Sequence, residues 1–145
     1  MGPITITDEA GQRALETLRT LPNVHLLGRK RIEDVPRYIA ACDVCLLPYQ
    51  INEWTRNIDS LKLYEYLACG KPVVATDVPA ARRFSEVVRI AASREEFVAS
   101  VATVQEKDDP TRQAKRRSIA ARQTWDQRVE SLSAVIEEQL ARHAG

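Results

Sequence analysis

Histidine is nearly absent from this chain, and neither sign of charge prevails. Among 145 residues only His25 and His143 occur, and 21 Lys and Arg stand against 20 Asp and Glu, a net charge of +1. Near-neutrality excludes the broad electrostatic field that nucleic acid or an anionic membrane would call for, so any anion site must be local. Long apolar runs are missing too. The longest, around Val44 to Pro48, falls far short of the roughly 20 residues that span a bilayer, and Met1-Gly2-Pro3 opens no secretion signal. The chain therefore reads as cytoplasmic, without a transmembrane segment and without a nucleic-acid partner. Cysteine is scarce: Cys42, Cys45 and Cys69 make no disulfide framework. The spacing of Cys42-Asp-Val-Cys45 can hold zinc or do redox chemistry, but zinc needs further ligands that neither a second cysteine pair nor a nearby histidine supplies. A redox pair usually opens a helix, where the dipole lowers the thiol pKa, whereas this one closes a helix and enters a strand. Ordinary buried thiols are the expectation, and no metal is expected.

What is present is an alternation of helical and extended patterns, which predicts an α/β fold with a Rossmann-like parallel sheet flanked by helices. A chain of this length can bury one core. Helical spacing marks residues 8–21, with Ala14, Leu15 and Leu18 on one face, and residues 24–27 read as a short strand closed by Gly28. A helix is expected from about Asp34 with Pro36 in its first turn, then a strand at 44–47 whose continuous apolar run suggests burial on both faces. Residues 49–59 form a polar loop of the kind that carries function. The next helix places Leu61, Tyr64 and Ala68 in its buried stripe, with Leu63 and Leu67 beside them, and Gly70 as its C-terminal cap. Strands at 73–75 and 87–90 bracket a short helix at 79–85, and Ser93 with Glu96 forms a capping box before a helix carrying Phe97, Val101 and Val104. Two helices end the chain. The last has an apolar stripe at Val129, Leu132, Ile136 and Leu140, read either as packed on its own domain or as awaiting a partner.

The informative segment is Ser60-Leu-Lys-Leu-Tyr-Glu-Tyr-Leu-Ala-Cys-Gly-Lys-Pro-Val-Val-Ala-Thr76. With Ser60 as N-cap, the backbone N–H groups of Leu61, Lys62 and Leu63 point out of the helix start, where the dipole favours an anion such as a diphosphate. Glu65 lies about 7.5 Å further along the axis and leans back toward the N-terminus, within reach of a ribose on that diphosphate. Lys62 adds a positive charge. In open parallel sheets ligands sit beyond the strand carboxyl ends, and this helix comes after one. Spacing alone leaves open that Ser60 merely caps and that Glu65 and Lys62 are a solvated face.

Residues 48–76 resemble the donor-binding region of GT-B glycosyltransferases, group 1 and family 4-like, of the large retaining superfamily. Asn23-Val-His-Leu-Leu-Gly28 is similar to that family's second core strand and glycine turn, Ala40-Ala-Cys-Asp-Val-Cys-Leu-Leu-Pro48 to its next helix-strand unit, and Thr124-Trp125 to its late tryptophan. The resemblance implies that Glu65 binds the donor ribose, that the amides at Ser60 and Leu61 hold the diphosphate, and that Gly28 and Arg29 lie near the base. Asn57 stands where the family often has a glutamate toward the donor sugar, separated from the ribose one by seven residues; Asn57, Arg56 or Asp59 is then expected to take over that contact. The chain resembles an incomplete C-terminal domain lacking its first strand-helix unit, with residues 1–108 as the donor-binding domain and 109–145 as helices directed toward a missing N-terminal domain. The same resemblance implies a glycosyltransferase that moves a sugar from a nucleoside-diphosphate sugar to an acceptor hydroxyl in polysaccharide or glycoconjugate synthesis, without a cofactor or metal. The isolated chain is then expected to be inactive and to self-associate or displace its final helix; the full-length enzyme would be cytoplasmic or peripheral at the inner membrane face. Against this stand a non-catalytic nucleotide-binding or interaction module and a phosphorelay receiver, though a receiver needs an aspartate at a strand's carboxyl end, where Pro48-Tyr49 stands.

Overall fold

The computed structural model describes residue 2 and residues 4–143. The chain divides into two compact units, residues 1–38 and 39–145. In the first, helix α1 (Glu9–Thr20) starts at Asp8, whose carboxylate accepts from the Gly11 amide at 2.8 Å. None of its residues is buried. The strand expected at 24–27 is not formed: Leu26 and Leu27 are 42% and 44% exposed, and the segment joins no ladder among the described residues. An apolar run becomes a strand only when a neighbour takes up its alternate N–H and C=O groups. Gly28 comes next with φ +63°, a left-handed turn position. A single turn of 3₁₀ helix (Ile32–Asp34) then leads into α2 (Val35–Ala40).

The second unit holds a three-stranded parallel sheet in the order β1 (Cys45–Leu47), β2 (Val73–Thr76), β3 (Val88–Ala91). Cys45 pairs with Val73 and Val73 with Val88, which aligns the three carboxyl ends. Val73, Val74 and Ala75 are fully inaccessible, as a central parallel strand covered on both faces must be. β1 departs from expectation. It is an edge strand among the described residues, and Leu46 is 42% exposed while its register partner Val74 on the central strand is buried. Burial of each valine contributes on the order of 2 kcal/mol.

Between β1 and β2 run α3 (Glu53–Arg56) and α4 (Leu61–Ala68); α5 (Pro79–Arg82) precedes β3, and α6 (Arg94–Glu106), α7 (Pro110–Ala121) and α8 (Trp125–His143) come after it. The stretch read as a polar loop thus contains a helical turn. Asn52 accepts from the Thr55 amide at 2.9 Å while Thr55 Oγ1 accepts from the Asn52 amide at 2.9 Å, a reciprocal cap not marked by the usual Glu or Gln. In α4 the buried stripe is rotated from the one expected: Leu63 and Leu67 are buried, Tyr64 is half-buried, and Leu61 and Ala68 face solvent. α7 packs against α4. The helix ends in a Schellman motif, with Gly70 N–H on the Leu67 carbonyl at 2.9 Å and Lys71 N–H on the Tyr66 carbonyl at 3.0 Å. Gly70 has φ +72°, and the Arg116 guanidinium, itself 4% exposed, donates to its carbonyl at 2.8 Å. At α6, Ser93 accepts from the Glu96 amide as expected, but the Glu96 carboxylate accepts from Ala92 N–H. No residue of α8 is buried, and among the described residues no helix is long and apolar enough to cross a membrane.

Candidate functional site

The start of α4 follows the carboxyl end of β1 in the chain, after the short turn of α3. Thr55, buried, donates its hydroxyl proton to the Gln50 carbonyl at 2.7 Å and so pins the loop on itself. Ser60 occupies the N-cap position with extended backbone, φ −83° and ψ 111°. Its side chain does not cap, contrary to the sequence reading. The hydroxyl is 2.9 Å from the Tyr49 hydroxyl instead, because Ser60 is 7% exposed and turned into the protein. The Leu63 amide is also taken, donating to the Ser60 carbonyl at 3.0 Å. The amides of Leu61 and Lys62 meet no acceptor among the described residues, as the first positions of a helix leave them.

Glu65 shares a face with Leu61, one turn back along the helix, and both are exposed. Its carboxylate makes no hydrogen bond or ion pair among the described residues, and the same is true of the Lys62 ammonium. The negative charge of Glu65 is felt locally: it adds to burial in raising the thiol of Cys69 and the hydroxyl of Tyr66, the latter to about 12. Asn57 ends α3 and donates from Nδ2 to the Glu53 carbonyl at 3.1 Å; with Trp54 it lines an open cleft of about 610 Å³. Gly28 and Arg29 belong to the first unit, Ser60, Leu61, Lys62, Asn57 and Glu65 to the second.

Beside this helix start is a cluster that sequence reasoning missed. Asp59 accepts from the Tyr64 hydroxyl at 2.9 Å, from Arg83 Nη2 at 2.8 Å and from Arg128 at 3.3 Å. Desolvation acts to raise the Asp59 carboxyl, but the Tyr64 hydroxyl and the two guanidiniums outweigh it and hold the group below its ordinary value. Asp59 is thereby committed within the protein and does not present an unpaired acid to a sugar. No spacing rule pairs it with Arg128, which lies 69 positions away. A second cleft, about 400 Å³, lies where the three strands end, between Pro48, Thr76 and Ala91 and the first turns of α6 at Arg94 and Phe97. A third of about 510 Å³ lies at the other end of β3, near Val88, Lys107 and Arg116.

The cysteine expectation is corrected in part. Cys45 is buried and its thiol is pushed up to about 12 by burial, with Cys42 next in effect, but Cys42 itself is exposed because it precedes the edge strand.

Residues 4–116 match the model of the Glycosyl transferases group 1 family. The chain belongs to that family. A glycosyltransferase relative, TuaH of Bacillus subtilis (strain 168), named for teichuronic acid biosynthesis, is 31% identical over 121 residues, which are 80% of this chain and 30% of that protein. The chain thus spans under a third of the length of this relative. No solved structure matches the chain.

Proposed function

We propose that the α4 start is the donor site of a glycosyltransferase that transfers a sugar from a nucleoside-diphosphate sugar to an acceptor hydroxyl with retention of configuration. The observation that carries this reading is the pairing, on one exposed helix face, of the unbonded amides of Leu61 and Lys62 with the unpartnered carboxylate of Glu65. The two amides accept the diphosphate, aided by the Lys62 charge and the helix dipole, and Glu65 takes the ribose hydroxyls. Charge that develops on the diphosphate as it leaves is stabilised where donors already stand, the largest contribution such a site makes. Ser60 supplies backbone and the Tyr49 link rather than a hydroxyl ligand. Asn57, at the mouth of the Trp54 cleft, is assigned to the donor sugar; Gly28 and Arg29 are assigned to the base on the family resemblance alone. No metal or cofactor takes part.

The acceptor-binding and remaining catalytic groups belong to an N-terminal domain, so the isolated chain binds the donor without turning it over. The relative's name supports a place in polysaccharide or glycoconjugate synthesis, and we propose that the full-length enzyme works in the cytoplasm or at the inner membrane face. The stripe on α8, with Val129, Leu132 and Ile136 each at least 50% exposed, supports either docking on that domain or self-association.

Calorimetric titration with UDP, GDP and their sugars tests the site. Glu65→Ala should weaken the preferred nucleotide by about 10- to 100-fold, the loss of hydrogen bonds to a charged acceptor. Equal affinities for the two proteins would remove Glu65 from the site.

A further inference from the structure

Every polar link that α8 makes outside residues 124–143, among the described residues, runs through Arg128. Its two terminal nitrogens each lie 3.3 Å from Asp59 Oδ2, and its guanidinium stacks 5.1 Å from the Tyr64 ring and 5.7 Å from the Trp125 ring. Among the described residues none of α8 is buried, and Val129, Leu132, Ile136 and Leu140 are 59%, 61%, 50% and 66% exposed. The anchor point is not neutral ground. Asp59 immediately precedes Ser60, and Tyr64 lies in the first turns of α4, so α8 is fastened to the same helix start that offers the amides of Leu61 and Lys62.

We propose that Arg128 is a latch that couples the seating of α8 to anion binding at the start of α4. The sign of the coupling comes from the charges. Arg83 and Arg128 against Asp59 leave the cluster with a net +1, and removing Arg128 leaves it neutral. A seated α8 therefore places one extra positive charge beside a bound diphosphate, and by linkage a bound diphosphate holds α8 in place. Arg83 bonds Asp59 independently of Arg128, at Oδ1 and 2.8 Å, so in this proposal that ion pair remains at the α4 start when the latch opens. Arg128 is thus a positioning residue, acting through Asp59 and through charge. The functional half of the proposal rests on the donor reading above; the attachment of α8 does not.

The test is hydrogen exchange of the α8 amides, with and without saturating UDP or GDP, alongside calorimetric titration of the same nucleotides. Arg128→Gln should speed exchange in the first two turns of α8 several-fold and weaken the nucleotide by about 2- to 5-fold, the range of a solvent-screened charge pair. Arg128→Lys, which keeps the charge, should restore the affinity. In the unaltered chain the nucleotide should slow α8 exchange. If Glu65→Ala weakens binding while Arg128→Gln changes neither affinity nor exchange, the latch is wrong and the donor site stands. If Arg128→Gln frees α8 but no nucleotide protects it and Glu65→Ala binds as the parent does, the donor reading falls and takes the coupling with it.

Discussion

Cys42 and Cys45 share a short segment but not an environment, and thiol chemistry is set by environment. Cys45 is 5% exposed with its thiol held to about 12, so almost none of it is thiolate near neutrality, while Cys42 is exposed. An alkylating reagent at pH 8 should modify Cys42 in the folded chain and reach Cys45 only after denaturation, as peptide mapping would show. The same burial has a consequence for stability. Cys45 moves from 9.0 and Tyr66 from 10.0, both to about 12, so each stays protonated in the fold at pH values where the unfolded chain loses the proton. Their stabilising effect is whole below pH 9.0 and disappears as pH rises toward 12. Thermal midpoints should therefore decline across that window, and a midpoint insensitive to pH there would contradict the burial described.

At the level of elements, α4 is held at both ends by different means. At its C-terminus Gly70 adopts φ +72°, and a Cβ there would come 2.9 Å from Arg117 Nε. Gly70→Ala should cost about 1 to 2 kcal/mol, mostly from the left-handed backbone, since the arginine can move aside. Arg116 bonds the Gly70 carbonyl and pairs with Asp108, with side-chain exposures of 5% and 12%. Arg116→Ala strands both partners and should cost about 3 to 5 kcal/mol in urea unfolding. The Gly70 cap, the strands at 73–76 and 88–91 and most of the helices were legible, because glycine position and apolar period are local signals. Three things were not. Whether residues 24–27 pair depends on a neighbour; the exposure of Leu46 depends on β1 being at an edge; the Ser60 hydroxyl went to Tyr49 because Ser60 is buried. The amides of Leu61 and Lys62 and the exposed face of Glu65 were legible since chain direction and helix geometry alone define them, whereas the Asp59, Arg83 and Arg128 cluster joins residues that only the fold brings together.

For the molecule as a whole, the sheet aligns its three carboxyl ends, α4 starts beside them, and α7 and α8 come after the sheet in the chain. The family match supports the proposed class of ligand, and the free amides are where charge can be received. The central claim is that a nucleoside diphosphate bonds the backbone of Leu61 and Lys62. Amide chemical shifts of the 145-residue chain, recorded as UDP or GDP is added, address it directly. The account predicts that the Leu61 and Lys62 amide protons move furthest downfield, that Glu65 responds next, and that Leu63, already bonded to Ser60, moves little. Shifts confined to the cleft around Val88, Lys107 and Arg116, with Leu61 and Lys62 unmoved, would contradict it.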